Sequence, residues 1–419
     1  MSRRPASARL RPRPALFLAA VVLLLALAAA AYATRQAGGS PDGAASPTPT
    51  LRPGGDDPKG NLGQPTPTPS GEPTPTPPSG MTLLFAEFGP TADTLVVARA
   101  GNPEERAPVA TVEHAPGWGV KGSLSPDGTR IALNVMTGRA SDPDTEAQLQ
   151  VLPTAGGAPR TLLQGLALRW TPIWLKDGSG VIVRRNEVTR DPNLGPLVSA
   201  VELVLVNAAD GTARALLRLA GGGDVFPIGL SPDGTHLYYA ALVGGGTEVN
   251  RLRLADGAVE RAVSLPALTR DWQLSPDGRS LCYLALEASG RYRAYVVDLE
   301  RGAPRAVLDS DRDNFSPVWT PDGFGITIGL PPAGGRRGAM VAPRDGGEAR
   351  ALAGAGSGFD VPVAWSPDGR FLLVRHFTGS SAEDPGREET VLLEGDTRRP
   401  LAPGPVEFLG WLERTSSSP

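Results

Sequence analysis

The chain has 419 residues with 41 basic and 44 acidic side chains, a net charge of −3 and one cysteine. One cysteine excludes a disulfide scaffold within the chain, and the charge balance excludes a polybasic nucleic-acid surface. Aromatics are only 5%, while Gly and Pro together number 95, which suits a protein made of turns. Arg outnumbers Lys 38 to 3, a bias that reads as genome composition.

Residues 1–14 carry Arg3, Arg4, Arg9, Arg11 and Arg13 without an acid, and residues 15–33 are a run of 19 without a charge. Such a run is about long enough to span a bilayer, and its positive flank is expected to stay in the cytoplasm with everything after it outside. Ala31-Tyr32-Ala33 also fits a signal-peptidase site, so a retained signal anchor and a cleaved signal peptide, giving a secreted protein, both stand. A lipoprotein is excluded, since the cysteine is Cys282. Residues 34–80 repeat Thr-Pro, as in Pro65-Thr66-Pro67-Thr68-Pro69 and Pro73-Thr74-Pro75-Thr76-Pro77. They cannot build a core and are expected to form an extended, disordered Pro/Thr-rich spacer. Of the charges, 8 basic and 4 acidic residues lie in 1–80, leaving 33 and 40 and a net of about −7 for the remainder.

From there to residue 414 one signature recurs. Its copies are Leu124-Ser125-Pro126-Asp127-Gly128, Leu230-Ser231-Pro232-Asp233-Gly234, Leu274-Ser275-Pro276-Asp277-Gly278, Trp319-Thr320-Pro321-Asp322-Gly323 and Trp365-Ser366-Pro367-Asp368-Gly369. Trp174-Leu175-Lys176-Asp177-Gly178 is degenerate, and Trp411-Leu412-Glu413 keeps only the apolar mark. Ser or Thr opens a type I turn, Pro presets φ, and Gly takes the left-handed position of a three-residue hairpin. The marks are 50, 56, 44, 45, 46 and 46 residues apart. A second turn keeps a looser period at Gly156-Gly157, Asp210-Gly211, Asp256-Gly257, Arg301-Gly302, Asp345-Gly346 and Gly395-Asp396. Two hairpins per repeat make four strands, the blade of a β-propeller.

The Trp/Leu-Ser-Pro-Asp-Gly repeat resembles that of the TolB-like propellers, relatives in shape of the WD-repeat proteins, over residues 81–414. The resemblance implies an envelope interaction platform. It implies six blades for TolB itself, and a seventh repeat here departs from that. Residues 82–88, 94–98 and 108–112 read as the second to fourth strands of a blade lacking its first, which residues 406–413 supply. The expected fold is therefore all-β, a propeller of seven four-stranded blades closed by pairing of its N- and C-terminal strands, with six or eight as alternatives.

Chemical signatures are sparse. The lysines follow Pro58, Val120 and Leu175, so no phosphate-binding Gly-Lys exists, and no Gly-x-Ser-x-Gly elbow is found. The chain ends with the propeller, which argues against a prolyl-peptidase arrangement with a joined hydrolase domain. His114, His236 and His376 fall in different blades. Asp309-Ser310-Asp311-Arg312-Asp313-Asn314 has the alternating carboxylates of a calcium loop but lacks its Gly and its closing Glu, and reads as a solvated connection. Acids and aromatics precede each mark, at Asp224 to Phe226, Asp271-Trp272, Asp313 to Phe315, Phe359-Asp360 and Glu407-Phe408. They are expected at the mouth of the central channel, capping turns and packing between blades.

The expected function is a membrane-tethered, extracytoplasmic, non-enzymatic platform for a protein, peptide or envelope glycan, without cofactor, catalytic residue or nucleic-acid partner. The alternative is a calcium-dependent propeller hydrolase or lactonase with metal at the channel. Surplus length between second and third strands falls in residues 137–146, 184–198 and 376–389, in three of four blades that are consecutive around the closed ring, those marked by Trp365, Trp411, Leu124 and Trp174. Recognition commonly sits on such loops. The candidate binding residues are Arg139, Asp142, Asp144, Arg185, Glu187, Arg190, Asp191, His376, Asp384 and Arg387.

Overall fold

The computed structural model describes residues 80–414 apart from 192–194, 221–223, 334–335, 353 and 355; residues 1–14, the apolar run 15–33, the linker up to residue 79 and the tail 415–419 lie outside the described residues. Among the described residues no helix is long and apolar enough to cross a membrane, and all regular structure is β.

The first strands are β1 (Gly80–Glu87), β2 (Ala92–Arg99) and β3 (Asn102–Glu113). Six complete blades follow. The second holds β4 (Lys121–Leu124), β5 (Arg130–Val135), β6 (Ala147–Pro153) and β7 (Arg160–Leu166). The third holds β8 (Ile173–Trp174), β9 (Gly180–Asp191), β10 (Gly195–Asn207) and β11 (Ala213–Ala220). The fourth holds β12 (Val225–Leu230), β13 (His236–Val243), β14 (Gly246–Arg253) and β15 (Val259–Leu265). The fifth holds β16 (Thr269–Leu274), β17 (Ser280–Leu286), β18 (Tyr292–Asp298) and β19 (Pro304–Ala306). The sixth holds β20 (Phe315–Trp319), β21 (Gly325–Ala333), β22 (Arg336–Pro343) and β23 (Arg350–Ala351), and the seventh β24 (Phe359–Trp365), β25 (Phe371–Phe377), β26 (Glu388–Glu394) and β27 (Thr397–Ala402). Last comes β28 (Val406–Arg414), which pairs antiparallel with β1 to complete the first blade in the order β28-β1-β2-β3. The molecule is thus a seven-bladed propeller closed by its two ends, as the repeat count implies.

The recurrent turn forms the same structure each time. The Gly φ lies between 70° and 73° in all six copies, a region that an L-residue with a Cβ rarely enters. In the five complete copies the Ser or Thr hydroxyl donates to the Asp carboxylate at 2.5 Å. The same oxygen accepts the backbone N–H five residues on, as from Arg130 at 2.9 Å and Phe371 at 2.9 Å. A side chain therefore closes the ladder, and the paired residues flank four loop residues where the sequence suggested three. Ser125 N donates to Arg130 O across that longer loop at 2.8 Å.

Second strands are buried on both faces because a blade lies against each. Leu83, Leu84, Phe85 and Ala86 of β1 are each 0% exposed, the continuous apolar run expected of a strand covered on both sides. The buried hydrophobic side chains fall into seven clusters, each bridging one seam between neighbouring blades. The apolar marks stand in these seams, and three of the tryptophans tie blade to blade, Trp365 Nε1 donating to Thr327 Oγ1 at 2.8 Å. Trp174 Nε1 donates to Ser123 O of the preceding blade at 3.1 Å, and Trp319 Nε1 to Gln273 O at 3.0 Å. The lone cysteine, Cys282, is fully buried in β17, where burial pushes its thiol up.

Strand direction divides the molecule into two faces. First-to-second and third-to-fourth turns lie on one, which carries the repeated Asp-Gly turns. Second-to-third connections and blade-to-blade connections lie on the other, around the mouth of the channel. Gly80 pairs with Arg414, so both ends of the propeller lie on the turn face.

Candidate ligand-binding mouth

On the mouth face the densest polar and aromatic convergence lies at the seam of the third and fourth blades. Arg184 projects from β9 and its side chain is 4% exposed. Its Nη1 donates to Val225 O at 2.6 Å and its Nε to Asn186 Oδ1 at 2.9 Å. The guanidinium lies 4.8 Å from the Trp170 ring centroid and 5.9 Å from that of Phe226. Burial pulls its pKa down to about 10, against the pull of Asp224 and Asp144. Asp224 Oδ1 stands 3.8 Å from Arg184 Nη2, beyond hydrogen-bond distance, and burial raises its carboxyl. Trp170, Phe226 and Trp272 form a continuous arc over three blades with centroid spacings of 5.1 Å and 5.1 Å. A second arc, Phe315, Phe359 and Phe377, has spacings of 5.2 Å and 5.2 Å.

Apart from Asp224, the acids that precede the marks are engaged by the protein. Glu407 is bonded to Lys121 Nζ at 2.6 Å, and burial raises its carboxyl. Asp271 pairs with Arg270 at 3.2 Å and holds a left-handed φ of 54° in a bulge of β16. Asp313 Oδ1 accepts Tyr292 N at 2.8 Å. Asp360, fully buried, receives both Arg398 and His376; burial alone would raise its carboxyl, but these bonds hold it below its ordinary value.

The candidates from sequence divide by environment. Arg139 is exposed in the connection between β5 and β6, and Asp142 folds that connection by accepting Asp144 N at 2.9 Å and Thr145 Oγ1 at 2.8 Å. Asp144 lies close enough to Arg184 and Asp224 to act on both charges. Residues 184–198 are not a loop: β9 and β10 extend as a paired ribbon to Asp191 and Gly195. Arg185 binds Glu202 through two donors at 2.8 Å and 2.5 Å, and Arg218 binds Glu187 through two at 3.1 Å and 2.6 Å. Arg190 and Asp191 occupy the end of the β9 strand. His376 stands inside β25, not in a connection, and is buried against Asp360 at 2.9 Å. Asp384 and Arg387 are exposed in the connection after β25, which Arg387 N closes onto Thr378 Oγ1 at 2.9 Å.

His114 is buried with its ring nitrogens facing Ala115 O at 2.9 Å and Asp93 Oδ1 at 3.0 Å, and His236 lies on the turn face beside Thr235. Among the described residues no group of three or more His, Cys, Asp or Glu side chains is arranged to hold a metal ion. In the acidic connection, Asn314 Oδ1 accepts Ala294 N at 2.9 Å and Asp309 faces Arg293 at 3.3 Å, as a structural connection requires. Sequence reasoning missed Trp170 and the burial of Arg184. Trp170 stands four residues before its mark, as Phe226 and Phe315 do before theirs, which is the signal that marks it.

No family model matches the chain. A curated relative, the uncharacterized peptidase YuxL of Bacillus subtilis, is 26% identical over 136 residues, 31% of this chain and 20% of that protein. Solved structures with the same fold include a puromycin hydrolase, at TM-score 0.53 and 20% identity over 80% of this chain and 54% of that one. The oligogalacturonate lyase of Vibrio parahaemolyticus matches at TM-score 0.51 and 11% identity, over 78% of this chain and 87% of that one. TolB from Acinetobacter baumannii is also similar, at TM-score 0.45 and 17% identity over 65% of each chain. The chain spans about a fifth of the length of the curated relative it matches. The likenesses to the puromycin hydrolase and the oligogalacturonate lyase agree on the propeller fold.

Proposed function

We propose that the chain is a non-catalytic binding platform, held on the outer side of a membrane by residues 15–33 and displayed on the 34–80 spacer, that takes an envelope protein, peptide or glycan on its mouth face. The observation that carries this reading is a segregation of features. The half-exposed aromatic arc, the extended β9–β10 ribbon and the long connections after β5 and β25 share one face, and both propeller ends lie on the other. A partner on the mouth face thus meets neither end of the propeller. Cross-linking the full-length chain in its native envelope and identifying captured partners tests the reading. Shortening the connections after β5 and β25 and the β9–β10 ribbon should weaken capture with the fold intact. Unchanged capture after all three changes would remove the mouth face from consideration. The tether is tested separately: a mature chain beginning at residue 34 in the soluble fraction would replace the anchor with a signal peptide.

A second reading, hydrolysis, is favoured by one observation, the local likeness to a protein described as a peptidase. Assay of the full-length chain on aminoacyl-amide, ester and lactone substrates, with and without calcium, tests it. Turnover that tracks the purified protein would displace the platform reading.

A further inference from the structure

The third and fourth blades carry a site whose chemistry is narrower than a general platform. Three ring faces, Trp170, Phe226 and Trp272, lie half-exposed in sequence along the mouth. Beside them are polar groups whose hydrogen-bonding capacity is not exhausted. Asn134 is 0% exposed; its Nδ2 donates to Trp170 O at 2.7 Å, while its Oδ1 has no donor. Arg184 is a donor at the arc: among the described residues its Nη2 has no acceptor within hydrogen-bond distance, Asp224 being 3.8 Å away. Asp144 and Asp224 supply further acceptors around the same guanidinium.

Charge decides the ligand class. Arg169, Arg184 and Arg270 stand along the arc against Asp144, Asp224 and Asp271. A polyanion or a polycation would need an excess of the opposite sign to repay its desolvation. This balanced surface offers none. It offers flat apolar faces next to planar amide, carboxylate and guanidinium groups, which complement a molecule with apolar C–H faces and a rim of hydroxyls that both donate and accept. We propose that this arc binds a neutral oligosaccharide, with pyranose faces on Trp170 and Phe226 and hydroxyls on Asp224, Asp144 and Arg184. This assignment rests on the platform reading and narrows its ligand.

The test is binding of the detergent-solubilised full-length chain to chitotriose and cellotetraose, followed by tryptophan fluorescence and saturation-transfer NMR. Trigalacturonate and an arginine-rich peptide serve as charged comparators. At least one neutral oligosaccharide should bind. Trp170→Ala and Asp224→Asn should each weaken it by about tenfold or more, the size of one well-placed contact. Asp224→Asn keeps the side-chain shape at a half-exposed position, so its melting temperature should match that of the parent chain. Absence of binding to both neutral sugars, binding unaffected by both substitutions, or preference for either charged comparator would overturn the proposal. Should envelope capture by the mouth face persist without sugar binding, the platform stands and this assignment falls; loss of both removes the platform as well.

Discussion

At the scale of single residues, the repeated turn derives its geometry from bonds internal to five or six residues. Ser366 is fully buried, donates to Asp368 at 2.5 Å and accepts Phe371 N at 2.9 Å. Ser366→Ala leaves that buried N–H without an acceptor, so stability should fall by about 1–3 kcal/mol, read from urea unfolding. The Asp partners respond to acid. Hydrogen bonds from Ser125 and Ser231 bring Asp127 and Asp233 to about 2; for Asp277 burial opposes the shift, but Ser275 and Arg344 still hold it at about 2. Since the folded carboxyl is below its unfolded value of about 4, the contribution is complete above about pH 4 and is lost as pH falls towards about 2. Replacing all three by Asn should flatten the acid limb of the stability profile; an unaltered limb would show that other carboxylates govern it. These turns are legible in sequence because every partner is a near neighbour. Arg184 with Val225 and Asn134 with Trp170 are not, because each bond joins neighbouring blades, and His376 with Asp360 depends on the exact register of the β24–β25 hairpin.

Among elements, the closing strand shows how far pattern carries. The three strands after residue 80 are a blade without its first member, and residues 406–413 are a first strand without a blade; pairing them needs only that open edges be satisfied. Less visible is the bond by which β28 also grips the second blade. Lys121, one of three lysines among 41 basic residues, reaches from β4 to the buried Glu407 of β28 at 2.6 Å. Lys121→Met should destabilise by about 1–3 kcal/mol at neutral pH, because it removes a cation from a buried carboxylate. The sign with pH follows from burial, which raises the Glu407 carboxyl. Without Lys121 that carboxyl rises further, and protonation relieves the unpaired charge as pH falls. The loss measured at pH 8 should therefore shrink at pH 5, and Glu407→Gln should restore stability to the Lys121→Met chain. The β9–β10 ribbon was legible only as surplus length. Residues 184–198 carry mixed charges that suggest a loop, but Arg185 to Glu202 and Arg218 to Glu187 pair across neighbouring strands and turn those charges into ladder contacts.

For the whole molecule, closure couples blades that are far apart in sequence. In an open repeat array, stability is a sum of units and nearest interfaces, and trimming an end removes one interface. Here β28 contributes to two seams at once. Leu409 and Leu412 pack with Leu84, Leu95 and Val120 in the seam of the first and second blades, while Phe408 and Trp411 pack against the cluster of Phe85, Phe371 and Leu401 in the seam of the seventh and first. Thr82 Oγ1 donates to Leu412 O at 3.1 Å inside the same blade. Removing residues 404–419 should therefore bare the inner edge of β1 and open both seams together, lowering the melting temperature by many degrees and broadening the transition. A covalent link across the same strand pair separates closure from simple loss of contacts. Met81 pairs with Glu413, and a disulfide formed in a Met81→Cys, Glu413→Cys chain would close a loop spanning nearly the whole propeller. By loop entropy such a link contributes at most about 5 kcal/mol, less if strained. If ring closure governs the unfolding transition, the oxidised chain should melt above its own reduced form. Equal melting of the two forms, together with an undiminished melting temperature after the deletion, would mean that the blades unfold independently and that the clasp is incidental.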